Sequence, residues 1–153
     1  MVSQIGMVIL ANLLPTIEQV GAIPLGLSLG MDPLTTFLIS VAVNSLLFFP
    51  VFLGLKFFYN SFLSRIGIFN KYLERVRNKG KTYVDKFGVI GVTFFIALPS
   101  PLTGTYTATI LSWLLDLDWK KAFLAIFLGS VIGGLIVLTS SLGVLTAFRL
   151  FFK

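Results

Sequence analysis

A break inside a long apolar stretch constrains this chain more than any other feature of its sequence. The apolar run of residues 94–98 stops at Pro99 and Pro101 and resumes at Thr105. Each proline lacks a backbone donor and disfavours the helical region for the residue before it. Unpaired backbone at membrane depth occurs only inside protein or beside a polar cavity. We therefore predict a helix that enters at Phe87, a polar break, and a second short helix.

The composition is that of an integral membrane protein. Of the 153 residues, 56% are hydrophobic and 12% are charged, and the mean hydropathy is +0.96. A soluble domain carries about twice that share of charge. The chain has no cysteine, and so no thiol nucleophile or cysteine-ligated zinc. It has no histidine, which is the commonest general base and metal ligand. We expect no enzyme activity, no cofactor and no metal site.

The positive charge is concentrated in one connector, residues 59–86. Residues 56–86 hold eight basic and two acidic residues, a net charge of +6, and the rest of the chain is neutral. The positive-inside rule places this connector in the cytoplasm, without nucleic-acid binding. Its apolar residues recur at helical spacing, which predicts an amphipathic helix, interrupted near residues 78–81, on anionic lipid headgroups. A coiled-coil seam is the alternative. The stripe comprises Phe62, Ile66, Phe69, Leu73, Val76, Gly80, Tyr83 and Phe87.

The remaining chain divides into two interrupted units and two long apolar segments. The first unit, residues 1–33, is predicted as a helix through Val20, a break at residues 21–26 around Gly21 and Pro24, and a return to Asp32. Residues 34–58 form a span that Pro50 should kink. The second unit covers residues 87–118, and the last span covers residues 119–153. In that span, Gly129 and Gly133 are spaced to let two membrane helices approach closely.

The two halves are similar in pattern. Paired broken segments indicate an inverted repeat. We therefore predict an all-α integral membrane fold: two re-entrant broken-helix hairpins and two spanning helices as an inverted repeat, with the amphipathic basic connector between the halves. Four full spans are the alternative. The matches are Ala22-Ile23-Pro24 with Ala97-Leu98-Pro99, Gly26 with Gly104, and Asp32 with Asp118.

Glu18 is the acidic residue placed well inside a predicted apolar unit. A charge in the bilayer costs at least about 3 kcal/mol, which makes such a residue a functional candidate. We predict that Glu18 is the proton and substrate coupling site, with Asn12 and Gln19 near enough to hydrogen-bond to it. The alternative is a helix cap near the membrane interface.

Hydroxyl groups crowd the second break. Thr105, Thr109 and Ser112 share one helical face and can satisfy freed backbone groups or bind substrate. A helix start also attracts anions. The predicted substrate path and hairpin tips comprise Gly21, Pro24, Pro99, Ser100, Pro101, Thr103, Gly104, Thr105 and Tyr106.

Three of these pieces together resemble a known family. They are Glu18 with residues 21–24, residues 97–104, and the glycine-rich last helix. The chain resembles the small membrane proteins labelled putative small multidrug export proteins, which are distantly similar to the DedA proteins. The resemblance implies two re-entrant hairpins with flanking spans and a transport function. Arginines that family members or DedA proteins carry are absent here, at Val20, Ile96 and Leu102.

We therefore expect a multi-pass plasma-membrane transporter that exports small cationic or amphipathic solutes in a proton-linked manner. A DedA-like lipid or lipid-carrier translocase or scramblase is the first alternative. A structural membrane protein that binds anionic lipid or a partner is the second. A chain this small is expected to form a homo-oligomer to enclose a pathway.

Overall fold

The computed structural model describes residues 3–61, 65, 67–97 and 104–151. Across these residues the chain is helical and contains no strand. The helices are α1 (Gln4–Leu13), α2 (Glu18–Ser28), α3 (Pro33–Ser61), α4 (Gly67–Ala97), α5 (Thr105–Leu114) and α6 (Trp119–Phe151).

The first two helices form a short hairpin, here called the first hairpin. Ser3 caps α1 by accepting a hydrogen bond from the Gly6 amide at 3.1 Å. Pro15 ends the helix because it forces Leu14 into an extended conformation, with ψ at 124°. The Gln4 side chain then donates to the Leu29 carbonyl at 2.7 Å, which joins the open ends of the two arms.

The break in this first unit lies earlier than the sequence predicted. The prediction of a break at residues 21–26 is wrong, because the turn occupies residues 14–17 and α2 runs through Gly21 and Pro24. Neither residue is therefore at the hairpin tip. Gly21 serves packing instead, since a Cβ there would lie 2.5 Å from Ile17 Cγ2.

The second arm of each unit ends in the same local motif. After α2, Gly30 has φ +79° and the Met31 amide donates to the Gly26 carbonyl at 3.0 Å. After α5, Asp116 has φ +58° and the Leu117 amide donates to the Ser112 carbonyl at 2.9 Å. Both are Schellman motifs.

An aspartate caps the long helix that follows each motif. Asp32 Oδ2 accepts from the Thr35 amide at 2.8 Å, at the start of α3. Asp118 Oδ1 accepts from the Lys120 amide at 3.0 Å, at the start of α6. Both are N-cap contacts that satisfy free helix amides.

These motifs pair α2 with α5, not with the end of α4. The expected match of residues 22–24 with residues 97–99 is wrong at Ala97 for that reason, since residues 22–24 lie in a second arm and Ala97 ends a first arm. Residues 98 and 99 lie outside the described part of the chain. The match of Gly26 with Gly104 fails likewise, while Asp32 and Asp118 occupy equivalent positions.

Helix α4 carries most of the connector and the first arm of the second unit. The predicted interruption near residues 78–81 is wrong, because the helix continues there and bends at Gly88, with φ 33° and ψ −116°. A side chain would disfavour those angles, so glycine fits the bend. Of the predicted apolar stripe, the side chains from Phe62 to Tyr83 lie outside the described part, and Phe87 is exposed.

The helix ends lie on two opposite sides of the molecule. The open end of the first hairpin and residues 140–145 of α6 border one cavity of about 430 Å³. On the other side, here called the connector side, the Tyr59 ring packs on Trp113 at 5.5 Å and Arg77 reaches the end of α5. Helices α3 and α6 each run from one side to the other.

Apolar side chains cover the outside as well as the interior. The main core joins α3, α4, α5 and α6 through Phe48, Val92, Ile96, Ala108, Leu117, Ala122, Ala125 and Ile126. Outside it, Ile90 is 75% exposed and Phe94 is 68% exposed. Residues 33–59 and 119–147 are long and apolar enough to cross a membrane. Exposed apolar surface of this extent fits a membrane protein.

Candidate functional site

The candidate site lies where the first hairpin turns against the start of α5. The Thr105 amide donates a 2.7 Å hydrogen bond to Glu18 Oε2. Glu18 is only 6% exposed, and Thr105 is fully buried. The first amides of a helix have no partner within the helix, and its N-terminus carries partial positive charge. The Glu18 carboxylate therefore stabilises the start of α5 from another element.

Gly104 makes this approach possible. It is the N-cap residue of α5 and offers no side-chain cap of its own. A Cβ at this position would overlap the Glu18 carboxylate. Glu18 thus supplies the acceptor that a serine or aspartate N-cap would normally provide.

The backbone at Glu18 is itself unusual. Its φ is +40°, in a region that non-glycine residues seldom adopt. The preceding turn holds this conformation, because the Glu18 amide donates to the Leu14 carbonyl at 3.1 Å. Strained backbone of this kind often marks a functional position.

A second hydrogen bond joins the same two elements. The Tyr106 hydroxyl donates to the Leu13 carbonyl at 2.6 Å, at the end of α1. The first two residues of α5 therefore contact both arms of the first hairpin. The two units meet end to end through these contacts.

Buried polar side chains continue from this contact into the interior. Thr105, Thr109 and Ser112 line one face of α5 and are fully buried. Among the described residues, six buried side-chain oxygens have no hydrogen-bond partner: Asn12 Oδ1, Gln19 Oε1, Asn44 Oδ1, Thr105 Oγ1, Ser112 Oγ and Ser130 Oγ. Unpaired groups inside a protein are costly and are candidates for binding water, protons or substrate.

The predicted partners of Glu18 lie elsewhere. Asn12 donates to the Val8 carbonyl at 2.8 Å and to Ser40 Oγ at 3.2 Å. Gln19 points toward α6, where its Nε2 lies 2.9 Å from the position of a Cβ on Gly133. The contacts of Glu18 are instead with the backbone of α5.

The glycines of α6 lie at close helix contacts. A Cβ on Gly129 would lie 2.6 Å from Ile96 Cβ, and one on Gly133 would lie 3.2 Å from the Ile96 carbonyl. Both positions thus let α6 approach the end of α4 within the one chain.

Four predicted path residues, Pro99, Ser100, Pro101 and Thr103, lie outside the described residues. Sequence reasoning missed Asn44 as an interior polar group, although an amide within an apolar span was a usable signal. It also missed Arg77, which contacts the C-terminal end of α5. No pattern in the connector distinguishes this arginine from its basic neighbours.

The model of one protein family, described as "Putative small multi-drug export protein", matches residues 18–136. The chain belongs to this family. The resemblance found in the sequence is thereby confirmed, while the similarity to DedA proteins stays a prediction. The family match runs from Glu18 into α6 and so includes the whole contact between Glu18 and α5.

No curated protein and no solved structure matches the chain. The two long apolar helices of the described part fit a membrane protein, and the name of the family points to export. Within the described part of the chain, no group of three or more carboxylate, histidine or cysteine side chains is placed to hold a metal ion.

Proposed function

We propose that this protein is a proton-linked exporter of small amphipathic or cationic solutes in the plasma membrane, with Glu18 as the proton site. The observation that carries the proposal is the buried contact of the Glu18 carboxylate with the Thr105 amide, 2.7 Å long. A carboxylate in this place is held by the positive end of α5. A proton on Glu18 removes the charge and most of that attraction.

Proton binding would therefore loosen the contact between the two units. The Tyr106 hydrogen bond to Leu13 is the remaining described link between their tips. Thr109 and Ser112, on the hydroxyl face of α5, are buried. When both links open, this face would become accessible to a solute. A ligand can shift such an equilibrium only as far as it prefers one state, so solute and proton would act on the same contact.

The proposal places both hairpins as re-entrant units of an inverted repeat. The arms α1 and α2 have 10 and 11 residues. That is about 15–17 Å of helix, half of a hydrocarbon core about 30 Å thick. The shared Schellman and aspartate-cap motifs support the repeat. The basic connector favours a cytoplasmic connector side, and a homo-oligomer would complete the enclosure of the pathway.

A substrate screen in proteoliposomes tests this function. A pH-sensitive dye inside the vesicles should respond when a transported amphipathic or cationic solute is added. Movement of fluorescent lipid without proton movement would instead support the lipid translocase or scramblase. Inactivity in both assays, with a phenotype lost only on mutation of the connector, would support a structural protein.

A further inference from the structure

A second cavity lies on the connector side, away from Glu18. Its volume is about 500 Å³, within the range of small-molecule sites. Aromatic walls and charged groups border it, including Phe52, Lys56, Arg77, Trp113, Asp116 and Trp119. The cavity therefore offers both an apolar wall and ionic contacts.

Two basic and two acidic side chains border this cavity, so their charges balance. An anionic ligand is favoured by the charge among them that has no ion-pair partner in the described part of the chain. Both carboxylates are already engaged: Asp116 pairs with Arg77 at 3.4 Å, and Asp118 caps α6. Lys56, by contrast, makes no ion pair with any residue that the structure describes.

The aromatic faces are likewise occupied by cations of the chain itself. Arg77 lies 5.9 Å from the ring centre of Trp113, and Lys120 lies 5.7 Å from that of Trp119. A cationic head would have to compete with Arg77 and Lys120 for the ring faces, whereas an anionic head would not, and an apolar body needs only van der Waals contact with the rings.

We infer that this cavity binds an amphipathic anion, with a phosphate-type head between Lys56 and Arg77 and an apolar body against Phe52 and the two tryptophans. The head would replace Asp116, whose side chain is 74% exposed. An exposed ion pair of that kind contributes little, while a phosphate can accept two hydrogen bonds from one guanidinium. The inference is independent of the proton chemistry at Glu18.

Ligand binding in this cavity would affect α5 through Arg77. Its Nε donates to the Leu114 carbonyl at 3.3 Å, and its Nη2 donates to the Trp113 carbonyl at 3.4 Å. These are long bonds to the C-terminal end of α5, the helix whose start contacts Glu18. A ligand that draws Arg77 away would therefore break these two hydrogen bonds at the C-terminal end of α5.

Tryptophan fluorescence tests the inference, because the chain has two tryptophans and both border this cavity. The full chain in dodecyl maltoside micelles is titrated with dodecyl phosphate, dodecyltrimethylammonium or inorganic phosphate. We expect dodecyl phosphate to quench the tryptophan fluorescence or shift its emission maximum in a saturable way, and we expect neither of the other two compounds to do so. A stronger response to the cation would overturn the inference, and an equal response to inorganic phosphate would overturn the need for an apolar body.

Three variants make the result specific. Lys56→Gln should weaken dodecyl phosphate binding about tenfold, the size expected for one charged hydrogen bond. Lys121→Gln is the matched control, because this exposed lysine does not border the cavity, and its affinity should equal that of the wild type. Asp116→Asn should tighten binding by removing the internal competitor, and asparagine tolerates the positive φ.

Weaker binding in Asp116→Asn, or equal binding in Lys56→Gln and wild type, would contradict an anion site. The titration uses no proton gradient. A negative result would therefore leave the proposal for Glu18 standing, and a failure of proton coupling would leave this site standing.

Discussion

Glu18 and Thr105 are 87 positions apart in the chain, yet a buried hydrogen bond of 2.7 Å joins the carboxylate of one to the amide of the other. The bond places the charge of α2 at the positive end of α5. It also makes Gly104, the residue before Thr105, a position where an added Cβ would displace the Glu18 carboxylate.

The replacement Gly104→Ala should therefore destabilise the protein by about 1.5–3 kcal/mol, because the displaced Glu18 carboxylate would lose its charged hydrogen bond to the Thr105 amide. Gly143→Ala is the matched control, because no atom lies within 4 Å of a Cβ placed there. In a helix interior that change should be neutral or stabilising by up to about 1 kcal/mol. Thermal unfolding in detergent compares the two variants. Equal melting temperatures for both would count against the close contact.

Tyr106→Phe removes the hydroxyl that bonds to the Leu13 carbonyl. The expected cost is about 1 kcal/mol, since the carbonyl loses its partner. Because this bond and the Glu18 contact join the same two units, their effects should not add. A double-mutant cycle with Glu18→Gln measures the coupling in thermal unfolding. Strict additivity would show that the two contacts act separately.

Much of the fold could be predicted from sequence, because helices, caps and breaks depend on nearby residues. Asp32 and Asp118 were correctly placed at the ends of the two units, and the long apolar helices were found. The predicted first break is wrong because a proline does not always break a helix, and Pro24 lies inside α2. Pro15 ends α1 instead, and α2 accommodates Pro24.

The candidate site was only half predictable. The cost of burying a charge singled out Glu18, but its partner depends on how two distant units meet. One sequence holds no information on that contact. The same limit hid Arg77, because its role comes from the end of α5, 36 positions further along the chain.

The cap at the start of α3 should make stability depend on pH. Two hydrogen bonds from Thr35, backbone and side chain, hold the pKa of Asp32 below its usual range. The carboxylate therefore stabilises the fold above its unfolded pKa of about 4, and this contribution is lost as pH falls through the lower folded pKa.

Asp32→Asn keeps a capping side chain without this titration. Its melting temperature should fall less than that of wild type between neutral and acidic pH. Asp32→Ala should melt lower than wild type at neutral pH. Identical pH profiles for wild type and Asp32→Asn would rule out this contribution.

Single cysteines can test the membrane topology, because the chain has none of its own. With both hairpins re-entrant, a cysteine added after Lys153 should react with an impermeant maleimide on intact cells. Lys71→Cys, in the connector, should react only after permeabilisation. Protection of both positions on intact cells would favour four full spans. Reaction of Lys71→Cys from outside would refute the cytoplasmic connector.

Proton movement in proteoliposomes tests the central claim about Glu18 most directly. The solute that gives the largest proton signal with wild type is used with Glu18→Gln, which keeps the size of the side chain but cannot ionise. Glu74→Gln, on the exposed face of the connector, is the matched control. We predict that Glu18→Gln folds and reconstitutes but shows no solute-driven proton movement and no pH-dependent transport, while Glu74→Gln behaves as wild type. Full proton-coupled transport by Glu18→Gln would contradict the account.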